Sequence, residues 1–465
     1  MDNKYFFDID SINREDTEEK KELRRKKHQQ SKRAAWILLL IFVAVVGTGL
    51  FFGIRVVVKN VSEGNKVVEL ASEATAMQPE PSDIIEDILG EGEIDITPSE
   101  PVEPEPSPDE FFEDYVREFV RGMSLEDQVS GLFIVTPEQI TNVSAATKAG
   151  DGTKKALEAY AVGGLIYDSK NMQDPEQFKT LTETTASLAR YPLFLAVDEE
   201  LGNSSFSKAL KAPSTMTPLE ITQNGDSSIA KTESEKIASL LSDYGLNLNL
   251  GISCEVNMGG EESFMKDNCF GDNPENAVLY VQNAVAPFVE YNITPAIRFF
   301  PGQSSASQDP SNGLSYTART KTDFKESELV TFKAAVDAGA KMAVVSHMSA
   351  EVATGENVPC SMSKVFMTDI LRMEMECHDL ILITDSLSKD AIASYYDSAD
   401  AAINSLKAGA DMLLCPEDFE VARDAVIEAV NNGVIAKERI EDSLVRIYKV
   451  KLYEAFFGTQ EGTLQ

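Results

Sequence analysis

The residues of this chain best placed to do chemistry are carboxylates that follow short apolar runs. Residues 381–384 form a continuous β-branched and leucine run that stops on Asp385. Such a run reads as a strand buried on both faces, as in a parallel sheet. A carboxylate at the C-terminal tip of such a strand lies where α/β barrels gather their reactive groups. Capping of the following helix is the other use of an aspartate there. Polar groups close other runs in the same way: Asp168, Asp198-Glu199-Glu200, Glu255, Asp309 in the loop after the fifth run, His347 and Glu417. A mouth rimmed by carboxylates and free of phosphate-binding glycines suits sugar chemistry. One carboxylate can attack the anomeric carbon while a second group protonates the leaving oxygen. Taken singly, each of these residues also serves as a helix cap, where the dipole stabilises negative charge.

The elements that must position them alternate. Eight short apolar runs, at 133–135, 164–167, 193–197, 246–250, 294–299, 343–347, 380–384 and 412–415, are followed mostly by helical stretches such as 175–189, 274–290 and 398–407. Eight βα units in one domain predict an α/β fold, a (β/α)8 TIM-type barrel with some long loops. A doubly wound open sheet is the alternative, but no G-x-G-x-x-G or G-x-x-x-x-G-K-[ST] motif follows the early strands. Before the barrel, Phe111, Phe112, Tyr115, Val116, Phe119 and Val120 recur at helical spacing, and Ser124-Leu125-Glu126-Asp127 reads as a capped helix start.

The N-terminal quarter reads differently. Residues 1–33 form a polar tail ending in a basic cluster, and residues 34–54 carry no charge at all. About 21 residues, or roughly 31 Å of helix, suffice to cross a bilayer. A transmembrane helix is therefore expected over 34–58, with Trp36 near one interface. The basic flank places the N-terminus in the cytoplasm and the rest of the chain outside the cell. The apolar core is too long for a cleaved signal peptide, and no A-x-A site follows it. Residues 59–108 are acidic and proline-rich, which predicts a disordered, extended spacer. The barrel domain is expected over 109–465.

Charge is unevenly spread: residues 1–59 hold 12 basic and 8 acidic residues, leaving 30 basic and 68 acidic in the remainder. So acidic a body is a poor nucleic-acid binder. Three histidines, and five cysteines without a CxxC pair, argue against a zinc site or a disulfide framework. No metal or organic cofactor is implied.

Several ordered stretches carry a family likeness: MSLEDQVSGLFIV from Met123, GGLI followed by DPEQFKTLT, PLFLAVDEELG from Pro192, FGDNPENA from Phe270, FPG at 300–302, LILITDSL, and LKAGADMLLCPEDF from Leu406. Together they resemble the N-terminal barrel domain of glycoside hydrolase family 3, most closely its bacterial β-N-acetylhexosaminidase branch. The resemblance implies a retaining glycosidase acting on amino-sugar glycan or cell-wall fragments, carried here behind the expected membrane anchor. In it Asp385 aligns with the nucleophile and Asp198 with a sugar-hydroxyl ligand. The departures lie at the site. Where this branch carries KHFPGHG and then an Asp-x-His acid/base pair, this chain has Arg298-Phe299-Phe300-Pro301-Gly302-Gln303-Ser304 and then Asp309-Pro310-Ser311. Asn268 and Asn203 stand at two family arginine positions. Arg298 and His347 are the remaining candidate substrate ligands, and Asp309, Glu199 or Glu200 the candidate proton donors; His347 ends a different strand from the lost histidine, and a hydrogen-bonded structural role is its other reading. The rival expectation is a catalytically inactive relative that binds envelope glycan or protein, since Ser311 cannot serve as a general acid. His378, which precedes the seventh run, is expected to be structural.

Overall fold

The structure, a computed structural model, describes residues 107–202 and 205–461. The expected cytoplasmic tail, transmembrane helix and nearly all of the acidic linker lie outside the described residues, as does Asn203. Among the described residues no helix is long and apolar enough to cross a membrane.

Eight parallel strands close into a barrel in sequence order: β1 (Phe133–Val135), β2 (Gly164–Ile166), β3 (Phe194–Val197), β4 (Leu248–Ser253), β5 (Thr294–Phe300), β6 (Met342–Val345), β7 (Ile381–Ser386) and β8 (Met412–Leu414). Closure is made by β8 against β1, with Phe133 opposite Leu413. Each strand falls on an expected apolar run, because a strand covered on both faces has no polar side to show. Ile381, Leu382 and Ile383 are wholly buried. The helices at Pro175–Leu188, Pro274–Glu290 and Ser398–Ala408 match the expected ones, started by the side chains of Asp174, Asn273 and Asp397. Ser124 accepts the Asp127 amide, as its spacing predicts.

The Pro108–Arg121 helix opens with a capping box between Ser107 and Glu110. It packs on the closing Lys437–Glu461 helix through Phe112, whose ring lies 4.8 Å from Phe456 and 5.2 Å from Phe457. Just before β8, buried Asp411 gathers Arg372 (2.5 Å), Arg446 (3.0 Å), the Ser443 hydroxyl (2.7 Å) and the Leu382 amide (2.9 Å). Arg372 and Arg446 also donate to the His378 carbonyl, so the backbone of His378 belongs to the strand-entry end, away from the mouth. Burial alone would raise the Asp411 carboxyl, but the arginines hold it below its ordinary value.

Candidate active site

Asp385 lies one residue from the end of β7 and is 5 % exposed. Its Oδ1 accepts the Ser386 amide at 2.7 Å and its Oδ2 accepts Lys389 Nζ at 2.7 Å. Burial pushes this carboxyl up, but Lys389, His347 and the amide more than offset that, so the group is lowered and ionised at neutral pH. The short helix that follows, Asp390–Ala393, begins at Lys389 without a side-chain cap. Asp385 is therefore not a helix cap. Thr384 points to the neighbouring strand instead, accepting the Leu414 amide at 3.1 Å.

Other tip residues divide between capping and framing. Asp168 and Asp309 cap the one-turn helices Ser169–Asn171 and Pro310–Asn312, accepting the Lys170 and Ser311 amides at 2.7 and 2.8 Å. Asp309 is half-buried and close enough to Lys389 to raise its ammonium, whereas Ser311 is exposed. Arg298, at the end of β5, reaches across to β3 and pairs with both Asp198 and Glu200. Asp198 remains exposed, so this fork ties a surface carboxylate to a buried cation. The Glu199 carboxylate is turned inward onto the Ser207 hydroxyl. Phe299 lies between two cations, 4.8 Å from the Arg298 guanidinium and 5.2 Å from Lys389 Nζ.

His347, one of the expected substrate ligands, is 1 % exposed and spends both nitrogens within the barrel wall. Its Nε2 lies 2.9 Å from the Ser386 carbonyl and its Nδ1 lies 2.8 Å from the Ser361 hydroxyl. A carbonyl only accepts, so Nε2 carries the hydrogen and Nδ1 accepts from Ser361. Burial lowers this imidazole, which is neutral at neutral pH. His347 thus braces the backbone of the residue beside Asp385.

Two residues matter more than their sequence positions suggest. Glu255, beyond β4, is 1 % exposed and accepts the amides of Phe299 (3.2 Å), Gln303 (2.8 and 3.0 Å) and Ser304 (3.2 Å). It fixes the end of β5, where Phe299 lies, and the start of the loop that leads to Asp309. Burial pushes its carboxyl up to about 8 against the pull of those amides. In the same loop Gly302 has φ +124°, and a Cβ there would meet the Glu328 side chain at 2.5 Å. Lys389 is the other. Its one sequence signal is the four-residue spacing from Asp385, which returns a side chain to the strand tip.

Among the described residues no group of three histidine, cysteine or acidic side chains is arranged to hold a metal ion. A cleft of about 370 Å³ beside helix Pro218–Asn224 is lined by Asp272, Asn276 and Tyr280 and by none of the strand-tip carboxylates.

The family description that matches is "Glycosyl hydrolase family 3 N terminal domain", over residues 125–450. The chain belongs to glycoside hydrolase family 3. Its similarity to individual members is low. Beta-hexosaminidase A of Pseudoalteromonas piscicida is 24% identical over 337 residues, covering 66% of this chain and 56% of that protein. Beta-hexosaminidase of Photobacterium profundum is 22% identical, covering 63% of this chain and 85% of its own length. Among solved structures, a family 3 beta-N-acetylglucosaminidase from Paenibacillus superposes with a TM-score of 0.66 at 24% identity, covering 72% of this chain and 64% of that one. A Beta-N-acetylhexosaminidase from Beutenbergia cavernae gives 0.61 at 21% identity, covering 71% and 98%. The chain thus spans little more than half of the first relative's length. The matched residues span the closed eight-stranded barrel, with Asp385 on its seventh strand and an arginine–carboxylate fork at the ends of its third and fifth.

Proposed function

We propose that this family 3 domain engages an amino-sugar glycan, such as a cell-wall fragment, at the barrel mouth and hydrolyses it with retention, Asp385 being the nucleophile. The observation that carries this reading is Asp385 itself: ionised, buried at a strand tip, braced by His347 through Ser386, and not consumed as a cap. Relatives named hexosaminidases and N-acetylglucosaminidases support the choice of sugar. In the first step Asp385 Oδ2 attacks the anomeric carbon and the glycosidic oxygen departs with its electron pair; water then displaces Asp385. Asp198, presented by Arg298, holds sugar hydroxyls. The proton donor is the weak part: Asp309 caps its own turn, Glu200 pairs with Arg298 and Glu199 turns inward. Leaving groups that need no proton are therefore the competent ones, and loss of general acid catalysis costs about 10²–10⁴-fold on the others. The helix expected at 34–58 would hold the barrel outside the cell membrane.

A second reading, glycan binding without turnover, is favoured by one observation, the Lys389–Asp385 ion pair. The test uses the full-length chain with an activated aryl β-N-acetylglucosaminide, beside Asp385→Ala and Ser311→His. Turnover lost in Asp385→Ala, and extended to poorer leaving groups by Ser311→His, supports the hydrolase. A parent chain that binds the sugar but never turns it over, with or without Ser311→His, supports the binding reading.

A further inference from the structure

We infer that Lys389 is an internal counter-ion that occupies the place of a ligand's positive charge at Asp385, and so keeps that carboxylate from an electropositive sugar centre. This rests on reading the mouth as a sugar site. Three observations carry it. Lys389 Nζ lies 2.7 Å from Asp385 Oδ2 while the Ser386 amide holds Oδ1, so each oxygen already has a donor. The lysine is held in place: its amide donates to the Ser386 carbonyl at 3.1 Å, and its own carbonyl receives the Ile392 and Ala393 amides at 2.9 Å. Its side chain is 23 % exposed, and its ammonium lies against the ring of Phe299, whose amide Glu255 accepts at the end of β5. An ammonium so confined does not swing away freely.

The chemistry follows from charge. In a retaining hydrolysis, positive charge builds at the anomeric carbon beside the nucleophile, and an ionised carboxylate stabilises it. With Lys389 in place the Asp385 pair is neutral overall, and an incoming cationic centre meets an ammonium as well as a carboxylate. Neutral sugar, bound through Asp198 and Arg298, is indifferent to this. The site therefore favours neutral amino-sugar ends over cationic ones and attacks them slowly.

Lys389→Met removes the ammonium and keeps an unbranched stem one atom shorter, and Lys389→Arg keeps the charge. The full-length proteins are compared in two ways. The first is affinity for a protonated piperidine iminosugar of N-acetylglucosamine form against the neutral lactam of the same shape. The second is the titration of the Asp385 carboxyl by carbon NMR. The expected result is that Lys389→Met binds the cation at least about tenfold tighter, with the lactam little changed, and that its Asp385 titrates at higher pH than in the parent. Lys389→Arg should behave as the parent. Unchanged cation affinity, or an Asp385 titration that does not move, overturns the inference. Faster turnover of the activated glycoside by Lys389→Met adds support. Tighter cation binding without turnover keeps the counter-ion role and removes the hydrolase reading. Turnover in the parent that Lys389→Met leaves unchanged removes the counter-ion role and keeps the hydrolase.

Discussion

Asp385, Lys389 and His347 show how a residue's meaning depends on what its second atom touches. His347 ends an apolar run and invites a catalytic role, but its two nitrogens hold the Ser386 carbonyl and the Ser361 hydroxyl. Its effect is exerted through the backbone next to Asp385. The imidazole is lowered by burial, so between its folded value and about 6.5 the unfolded chain binds a proton that the folded one does not. Its contribution is whole above that window and is lost as pH falls. Melting temperature followed from pH 7 to pH 5 should drop more steeply in the parent than in His347→Asn. That variant should also be less stable at pH 7, by about 1–3 kcal/mol, for the buried partner it leaves unpaired. Asp385 was legible because an apolar run ended on it. Lys389 was not, because a lysine followed by an aspartate at a helix start looks like ordinary solvated surface, and only the folded turn brings it back onto the strand tip.

At the scale of elements, the strands were readable to within three residues, since each is a short apolar run that the fold buries. The loops were not. The segment 299–304 takes its shape from Glu255, a residue some forty-five positions earlier, through amides that carry no side-chain signature. Glu255→Leu removes the acceptor of three backbone amides and keeps the bulk of the side chain. It should loosen this loop, weakening sugar affinity more than it lowers overall stability; hydrogen exchange of the 299–304 amides, set beside a melting curve, separates the two. Because burial raises Glu255 to about 8, the folded chain holds its proton over roughly pH 4.5–8 where the unfolded chain does not. That contribution to stability is therefore lost as pH rises through 8, opposite in sign to that of His347. The strand-entry end depends on a different knot. Asp411→Asn would leave Arg372, Arg439 and Arg446 crowded without their anion, and urea unfolding should report a loss of about 3–5 kcal/mol.

For the molecule as a whole, the acidic balance of the chain bears on which glycans can approach. A formal net charge of −34 repels polyanions over distances set by the ionic strength. Neutral amino-sugar oligomers should bind with an affinity nearly independent of salt, whereas anionic wall fragments should bind better as salt rises from low to physiological levels. Titration calorimetry at two ionic strengths distinguishes them. Membership of family 3 follows from the barrel and its ordered motifs, which describe a scaffold. Turnover depends on a few side chains at its mouth, where this chain departs from the pattern at Arg298, Phe299 and Ser311. The measurement that tests Asp385 most directly is a peptide mass map of the full-length chain and of Lys389→Met after exposure to an activated 5-fluoro amino sugar, which slows release of a glycosyl intermediate. A glycosyl adduct is expected on the peptide containing Asp385, formed faster in Lys389→Met and absent in Asp385→Ala. Sugar binding with no adduct in either protein, or an adduct on another carboxylate, would contradict Asp385 as the nucleophile.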